Sequence, residues 1–199
     1  MWLAPPEKQR GIKRERLLRA LLFQPDGSLS KRELARRACT TSEWAVNVTN
    51  QLESKGYIDG TTVTEHEQLF EYWLNNRIQP NRVSVAIQNP VTTIQQTNFE
   101  HAFTTYQAEN AKQGYLFPAR TAVYIHPDDA GDWTNWIESN ALIGGGNTEI
   151  RVGDEHVFYE ADLVNDMDIV CTPQLILDLL DEGGPCVDAA HRLMDAYYA

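Results

Sequence analysis

Ser30-Lys-Arg-Glu-Leu-Ala-Arg-Arg-Ala38, then Cys39-Thr40, then Thr41-Ser-Glu-Trp-Ala-Val-Asn-Val-Thr-Asn-Gln-Leu-Glu-Ser-Lys-Gly56 is the stretch whose reading decides the fold. It predicts two short helices with a tight turn between them. Ser30 and Glu33 have capping-box spacing, and so do Thr40 and Glu43; in each pair a hydroxyl can take an N-terminal amide while the carboxylate reaches back. Gly56 supplies the left-handed residue that ends a helix. Together these features spell a helix-turn-helix. On its second helix Ala45, Val48 and Leu52 recur at helical spacing and face a core, which leaves Asn47, Asn50, Gln51 and Ser54 outside. Asn and Gln can bond two groups on an adenine edge at once. An ordinary solvated helix more often carries Glu and Lys there, and a polar surface with no ligand is the plain alternative. After Gly56, Tyr57-Ile58-Asp59-Gly60-Thr61-Thr62-Val63 sets Asp-Gly between β-formers, a hairpin signal. A helix-turn-helix followed by a hairpin is a winged helix, here with a very short wing.

Upstream, Ile12, Leu17, Leu18, Leu21 and Leu22 alternate with basic residues at helical spacing, which gives the domain its first helix over 12–23. Gln24-Pro-Asp-Gly-Ser28 is a turn by composition. Residues 1–11, with two prolines and mixed charge, read as a flexible arm. If the second helix of the motif enters a major groove, Thr41 and Ser42 at its start and Asn47, Asn50 and Gln51 along it reach base edges. Arg32 and Arg37 on the preceding helix, and Lys55 at the end of the next, then fix the register on phosphates. For each basic residue a solvated surface charge is an equally good reading.

Downstream, residues 65–77 read as a linker helix with Leu69, Phe70, Tyr72, Trp73 and Leu74 on a broad apolar stripe, ended by Pro80. The second half then alternates strand and helix. A strand is expected over 83–87. Thr97-Asn-Phe-Glu100 has capping-box spacing and opens a helix through Phe103, Tyr106 and Ala108 to Gly114. Strands over 121–125, 149–152 and 156–160 are separated by a helix after His126-Pro-Asp-Asp and a loop containing Gly144-Gly-Gly146. Thr172-Pro173 pairs an N-cap with proline at the first helical position. The helix from it buries Leu175, Ile176, Leu179 and Leu180, Gly183-Gly184 breaks it, and a last helix follows. The expected class is α+β: a winged helix-turn-helix over 1–64, a linker helix over 65–80, and a mixed α/β domain over 81–199.

Charge sharpens the division. The chain of 199 residues carries a net charge of −11, which taken whole argues against nucleic acid. Residues 1–60, however, hold 11 Lys and Arg against 7 Asp and Glu, and residues 61–199 hold 6 against 21. Such asymmetry fits a DNA-contacting end on an acidic body. An acidic excess with only five lysines equally fits a halophilic source, where charge serves hydration. No apolar run approaches the ~20 residues of a membrane span, and the N-terminus lacks the basic-then-apolar order of a signal peptide. A cytoplasmic protein is the expectation. Cys39, Cys171 and Cys186 show no metal spacing and read as small buried apolar residues.

The C-terminal stretch Thr172-Pro-Gln-Leu-Ile-Leu-Asp-Leu-Leu-Asp-Glu-Gly-Gly-Pro-Cys-Val-Asp-Ala-Ala-His-Arg-Leu193 resembles AbiEi-type antitoxins of type IV toxin–antitoxin systems. That family tends to show a Pro-Gln-Leu/Asp-Leu-Leu helix, a Gly-containing break and an Ala-Ala/Leu helix. A tyrosine-bearing helix like 99–107, a strand like 122–125 and an N-terminal winged helix precede it, so the likeness spans nearly the whole chain in order. Each motif is only moderately specific. The resemblance implies a winged-helix DNA-binding domain and a C-terminal antitoxin domain of nucleotidyltransferase-like build. It further implies repression of the protein's own operon through promoter repeats in double-stranded DNA. The partner toxin of that family is a nucleotidyltransferase, countered without a stable complex. The short wing and the strong acidity depart from the family pattern.

Chemistry-bearing patterns are sparse. Asp166-Met-Asp168 alternates as two carboxylates on one strand face would, with Asp162 near, as a two-metal site requires. No Gly-Ser loop precedes it, and Gly144-Gly-Gly146 is followed by Asn147 with no Lys for a phosphate-binding loop. The five histidines form no HxxxH or HxH pair, and no Ser sits in a Gly-x-Ser-x-Gly turn. Tyr159 and Glu160 read as solvated, and Asp178 and Asp188 as plain helix solvation, with polar contacts of a partner surface as the alternative. No catalytic residue, metal ligand or cofactor is therefore expected. The competing class is a protein-interaction adaptor or inhibitor that uses the winged helix to bind protein; a metal-dependent nucleotidyltransferase is a distant third.

Overall fold

Residues 3–7 and 10–199 are described in a computed structural model. Its first helix, α1 (Ile12–Phe23), buries Leu17, Leu18, Leu21 and Leu22 as the periodicity requires. The short α2 (Lys31–Arg37) starts where the Ser30 hydroxyl accepts from the Glu33 amide at 3.1 Å. Only half of the capping box forms: the Glu33 carboxylate turns to Arg36 and Arg37 instead of reaching back. Helix α2 closes with Cys39 in the left-handed region, φ 51°, and the Thr40 amide bonded to the Ala35 carbonyl, the 6→1 pattern of a Schellman motif. The next helix, α3 (Ser42–Ser54), is capped by Thr41, whose hydroxyl accepts from Trp44 N. The cap thus lies one residue later than Thr40, because Thr40 is spent closing α2. Gly56, φ 77°, ends α3 with Tyr57 N donating to Leu52 O.

Strands β1 (Ile58–Asp59) and β2 (Thr62–Val63) pair Ile58 with Val63 and Asp59 with Thr62, so the turn is centred on Gly60-Thr61. Thr62 also bridges to Asp26, and Val63 N donates to Pro25 O. This ties the hairpin to the loop between α1 and α2. Helix α4 (His66–Asn75) follows, burying Leu69, Phe70 and Trp73.

The rest of the chain builds a mixed seven-stranded sheet. Its strands are β3 (Asn81–Ala86), β4 (His101–Thr104), β5 (Thr121–Ile125), β6 (Leu142–Ile143), β7 (Thr148–Val152), β8 (Asp162–Val164) and β9 (Met167–Ile169). They lie in the order β6-β3-β7-β5-β4-β9-β8, with β5/β7 and β4/β9 parallel and the other neighbours antiparallel. The helices between them are α5 (Pro90–Gln95), α6 (Thr105–Lys112), α7 (Ala130–Asn140), α8 (Thr172–Glu182) and α9 (Pro185–Tyr197). Strand β5 is buried at all five positions and is paired along both edges.

Several expectations are corrected here. Residues 97–104 are not helical: Thr97 ends α5 by bonding to Ile94 O, and Ala102-Phe103-Thr104 pairs with β5. The helix begins only at Thr105. Residues 155–158 form a 3-10 turn rather than a strand, because the Asp154 carboxylate caps it through His156 N. The loop over 140–147 contains the short edge strand β6, and Gly146 lies against the backbone of Val85. The N-cap position of α8 falls on Cys171, one residue before the expected Thr172, and its side chain makes no capping hydrogen bond. The expected arm is anchored where it is described, with Leu3 buried and Ala4 O accepting from Asn81 Nδ2 at 2.7 Å; Met1, Trp2, Lys8 and Gln9 lie outside the described residues. Among the described residues no helix is long and apolar enough to cross a membrane.

One apolar core runs from α1 and α3 through α4 into α8, α9 and the sheet. Polar ties cross the same junction. Arg16 clasps Asp154 with two hydrogen bonds at 2.7 and 2.6 Å. The Tyr197 and Tyr198 hydroxyls donate to Phe23 O and Leu22 O, both at 2.9 Å. The Glu15 carboxylate accepts from Ile78 N at 2.6 Å.

Candidate nucleic-acid interface

Helix α3 turns its apolar face inward, where Ala45, Val48, Thr49 and Leu52 are buried. Ser42, Asn47, Asn50, Gln51 and Ser54 are exposed on the other side. Among the described residues, none of the second half covers that face. The Asn47 and Gln51 amides carry no hydrogen bond to another described residue. Asn50 is partly engaged: its Oδ1 accepts from Lys31 Nζ at 3.0 Å, and its Nδ2 stays available. Lys31 also pairs with Glu53 at 3.3 Å, and Glu53 accepts from Gly60 N at 2.7 Å. That chain of contacts locks α2, α3 and the hairpin turn into one unit. Thr41 is exposed, but its hydroxyl is committed to the cap.

The basic residues divide. Arg32 is exposed and makes no ion pair with a described residue. Lys55 is exposed and lies 4.6 Å from the Tyr72 ring centroid and 5.9 Å from that of Tyr57, a cation–π placement on a long side chain. Arg37 points the other way. Its guanidinium donates to Tyr159 Oη at 3.0 Å and to Glu33 at 3.1 Å, so it ties α2 to the sheet body. Glu33 is held down to about 2 by hydrogen bonds from Arg36 and Arg37. Both arginines therefore sit beside a carboxylate that stays charged, and neither is as free for a phosphate as Arg32.

Sequence reasoning missed the buried polar system beneath α1 and α2. His156 is 7% exposed, stacks on Tyr159 with ring centroids 4.7 Å apart, and bonds both halves of the chain. Its Nδ1 meets Arg19 Nη1 at 2.9 Å and its Nε2 meets Arg37 O at 2.8 Å. A guanidinium only donates and a carbonyl only accepts. The ring must therefore be neutral, with its proton on Nε2. Burial, helped by the Arg19 and Arg16 charges, pushes its pKa down to about 4. Arg19, 1% exposed, gives two further donors to Gln174 Oε1 at 2.9 and 2.8 Å.

Gln174 leads to the second node. Its Nε2 donates to Asp178 at 3.0 Å, and Asp178 also accepts from Thr104, Tyr124 and Arg77. Asp178 was expected to be solvated; it is fully buried. Burial raises its pKa, but the Arg77 and Arg151 charges outweigh that and hold it below the ordinary carboxylate range. Tyr159, also expected at the surface, is half-buried between His156 and Phe23. Cys39 is exposed, against expectation, whereas Cys171 and Cys186 are buried.

The acidic positions do not assemble a metal site. Asp166 sits in the β8–β9 turn at φ 59°, so it does not share a strand face with Asp168. Asp162 pairs with Lys112 at 3.0 Å. Among the described residues no group of three or more His, Cys, Asp or Glu side chains is placed to hold a metal ion. Comparison of the chain with protein-family models, with curated proteins and with solved structures finds no match.

Proposed function

We propose that this chain is a sequence-specific, double-stranded-DNA-binding transcriptional regulator, a repressor built on a winged helix-turn-helix. The observation that carries the reading is the exposed amide face of α3. Asn47, Asn50 and Gln51 stand clear of the body on a helix whose opposite face is fixed in the core. A helix presented in this way fits the major groove, and amide side chains match adenine N6 and N7 there. The bridge from Asp26 to Thr62 supports the winged-helix assignment, since it joins the hairpin to the loop after α1. The wing is only the Gly60-Thr61 turn, so most recognition falls to α3.

In mechanism, Ser42, Asn47, Asn50 and Gln51 read base edges, while Arg32 and Lys55 touch phosphates on either side. Lys55 swings off Tyr72 to do so. Arg37 holds α2 against the body and so sets the angle at which α3 is offered. The acidic second half repels the duplex and lowers non-specific affinity, which comes mainly from phosphate contacts. Discrimination then depends on base contacts. On the likeness to AbiEi-type antitoxins, the regulated promoter is the protein's own, and the toxin countered is a nucleotidyltransferase. The test is a mobility-shift titration with the region upstream of the protein's own reading frame, against excess random duplex. A discrete complex that survives the competitor supports the reading; equal binding to both duplexes, or none, refutes it.

A further inference from the structure

A cleft of about 800 Å³ lies between the start of α1, the α2–α3 turn and the sheet body. That size falls within the ~300–1,000 Å³ of small-molecule sites. Its floor is deep, with Arg19, Tyr124, Gln174 and Leu177 each about 1% exposed. Its walls are largely apolar, from Ile12, Trp44, Ile78, Val157 and several prolines.

Its charge is unusual for a chain of net charge −11. Among the lining cations, Arg16 is neutralised by Asp154 and Glu155, and Arg77 by Asp178 and Asp181. Arg19 hydrogen-bonds the neutral Gln174 and His156, and its charged neighbour in the lining is the Glu15 carboxylate, which is tied to Ile78 N. Arg10, just before α1, and Lys13 and Arg14, on its first turn, have no acidic partner among the described residues. Arg14 Nε is buried and makes no hydrogen bond, and its guanidinium only faces the Tyr72 ring at 6.0 Å. A concave site with apolar walls concentrates the field of such charges.

We infer that this cleft binds a small organic anion, a carboxylate or phosphate carried on an apolar body. The anionic group meets Lys13 and Arg14 at the rim, and the apolar part lies against the half-buried Ile12, Trp44 and Ile78. A duplex phosphate meets only the rim, whereas a small ligand also fills the concave space between the apolar walls, so the shape favours a small ligand over DNA. Trp44 stands on α3 itself, beside Asn47 and Gln51 in helical projection, so an occupant contacts the element that carries the exposed amides. Occupancy of the cleft stands apart from the duplex reading, and failure of one leaves the other intact.

The probe is 1-anilinonaphthalene-8-sulfonate, an anionic group on an apolar body, compared with the uncharged N-phenyl-1-naphthylamine. Fluorescence titration of the folded full-length chain is expected to show one saturable site for the anion. Lys13→Gln/Arg14→Gln is expected to lose on the order of tenfold in affinity, while Arg192→Gln, outside the cleft, binds as the parent does. Lys13 is exposed and Arg14 half-buried, so a thermal melt checks that the fold persists. In the unmodified chain, added NaCl weakens the anion but not the uncharged probe, which tests the same point without mutation. Equal affinity for the two probes, no saturable site, or no loss in the double variant overturns the proposal. So does a double variant that loses duplex affinity with probe binding intact, since that assigns both charges to a phosphate track.

Discussion

Replacing His156 with Gln tests the junction that presents α3. In the folded chain the ring is neutral, with a pKa of about 4 against an ordinary 6.5. The unfolded chain therefore takes up the proton first as pH falls. Because the folded pKa is depressed, the contribution to stability is complete above the unfolded value, declines from about pH 6.5 downward, and is spent by about pH 4. Between roughly pH 7.5 and pH 5, these two values give a loss of about 2 kcal/mol from this residue alone, at ~1.4 kcal/mol per pKa unit. The glutamine side chain of His156→Gln can still donate to the Arg37 carbonyl but does not titrate. Urea denaturation of both proteins at the two pH values isolates the term, since the remaining titrating groups are common to both. The parent should lose about 2 kcal/mol more than His156→Gln over that interval. Parallel pH dependences would refute the assignment of a buried neutral imidazole between Arg19 and Arg37.

Asp178→Asn takes one carboxylate from Arg77 and Arg151, which keep Asp181 and Glu149 with Glu182; the loss of charge-assisted hydrogen bonds costs about 1.5–3 kcal/mol, which a denaturant midpoint measures. Gly146→Ala would drive a Cβ into the Val85 carbonyl, an overpacking that costs about 1–3 kcal/mol and shows as a lowered melting temperature. Gly56→Ala meets no atom within 4 Å, so only the backbone strain of φ 77° remains. The expected cost there is about 1 kcal/mol in the same melt.

The N-terminal helices were legible because their signals are local. The Leu and Ala periodicities, the Ser30 cap and Gly56 each act within one or two turns, and each element stands where it was expected. The turn between α2 and α3 slipped by one residue because two hydroxyls, Thr40 and Thr41, compete for the cap, and only the Schellman closure at Cys39 decides. Residues 97–104 misread for a different reason. Capping-box spacing is weak information beside the burial of Ala102 and Phe103 between β5 and β9, and those partners are remote in the chain. Asp178 gave a signal that could have been used. It shares a helical stripe with Leu175 and Leu179, where a carboxylate needs a buried partner. Its partner Arg77 lies 101 residues away, which no local pattern can supply. The exposed amides of α3 were visible from spacing alone, whereas the commitment of Arg37 to Tyr159 and Glu33 required coordinates.

Anisotropy titration of the parent and of Asn47→Ala, on a duplex selected for binding and on a scrambled one, bears most directly on the role of α3. A base-reading amide predicts a loss of about 1–3 kcal/mol on the selected duplex and little change on the scrambled one. Equal losses on both, or no loss on either, would contradict it.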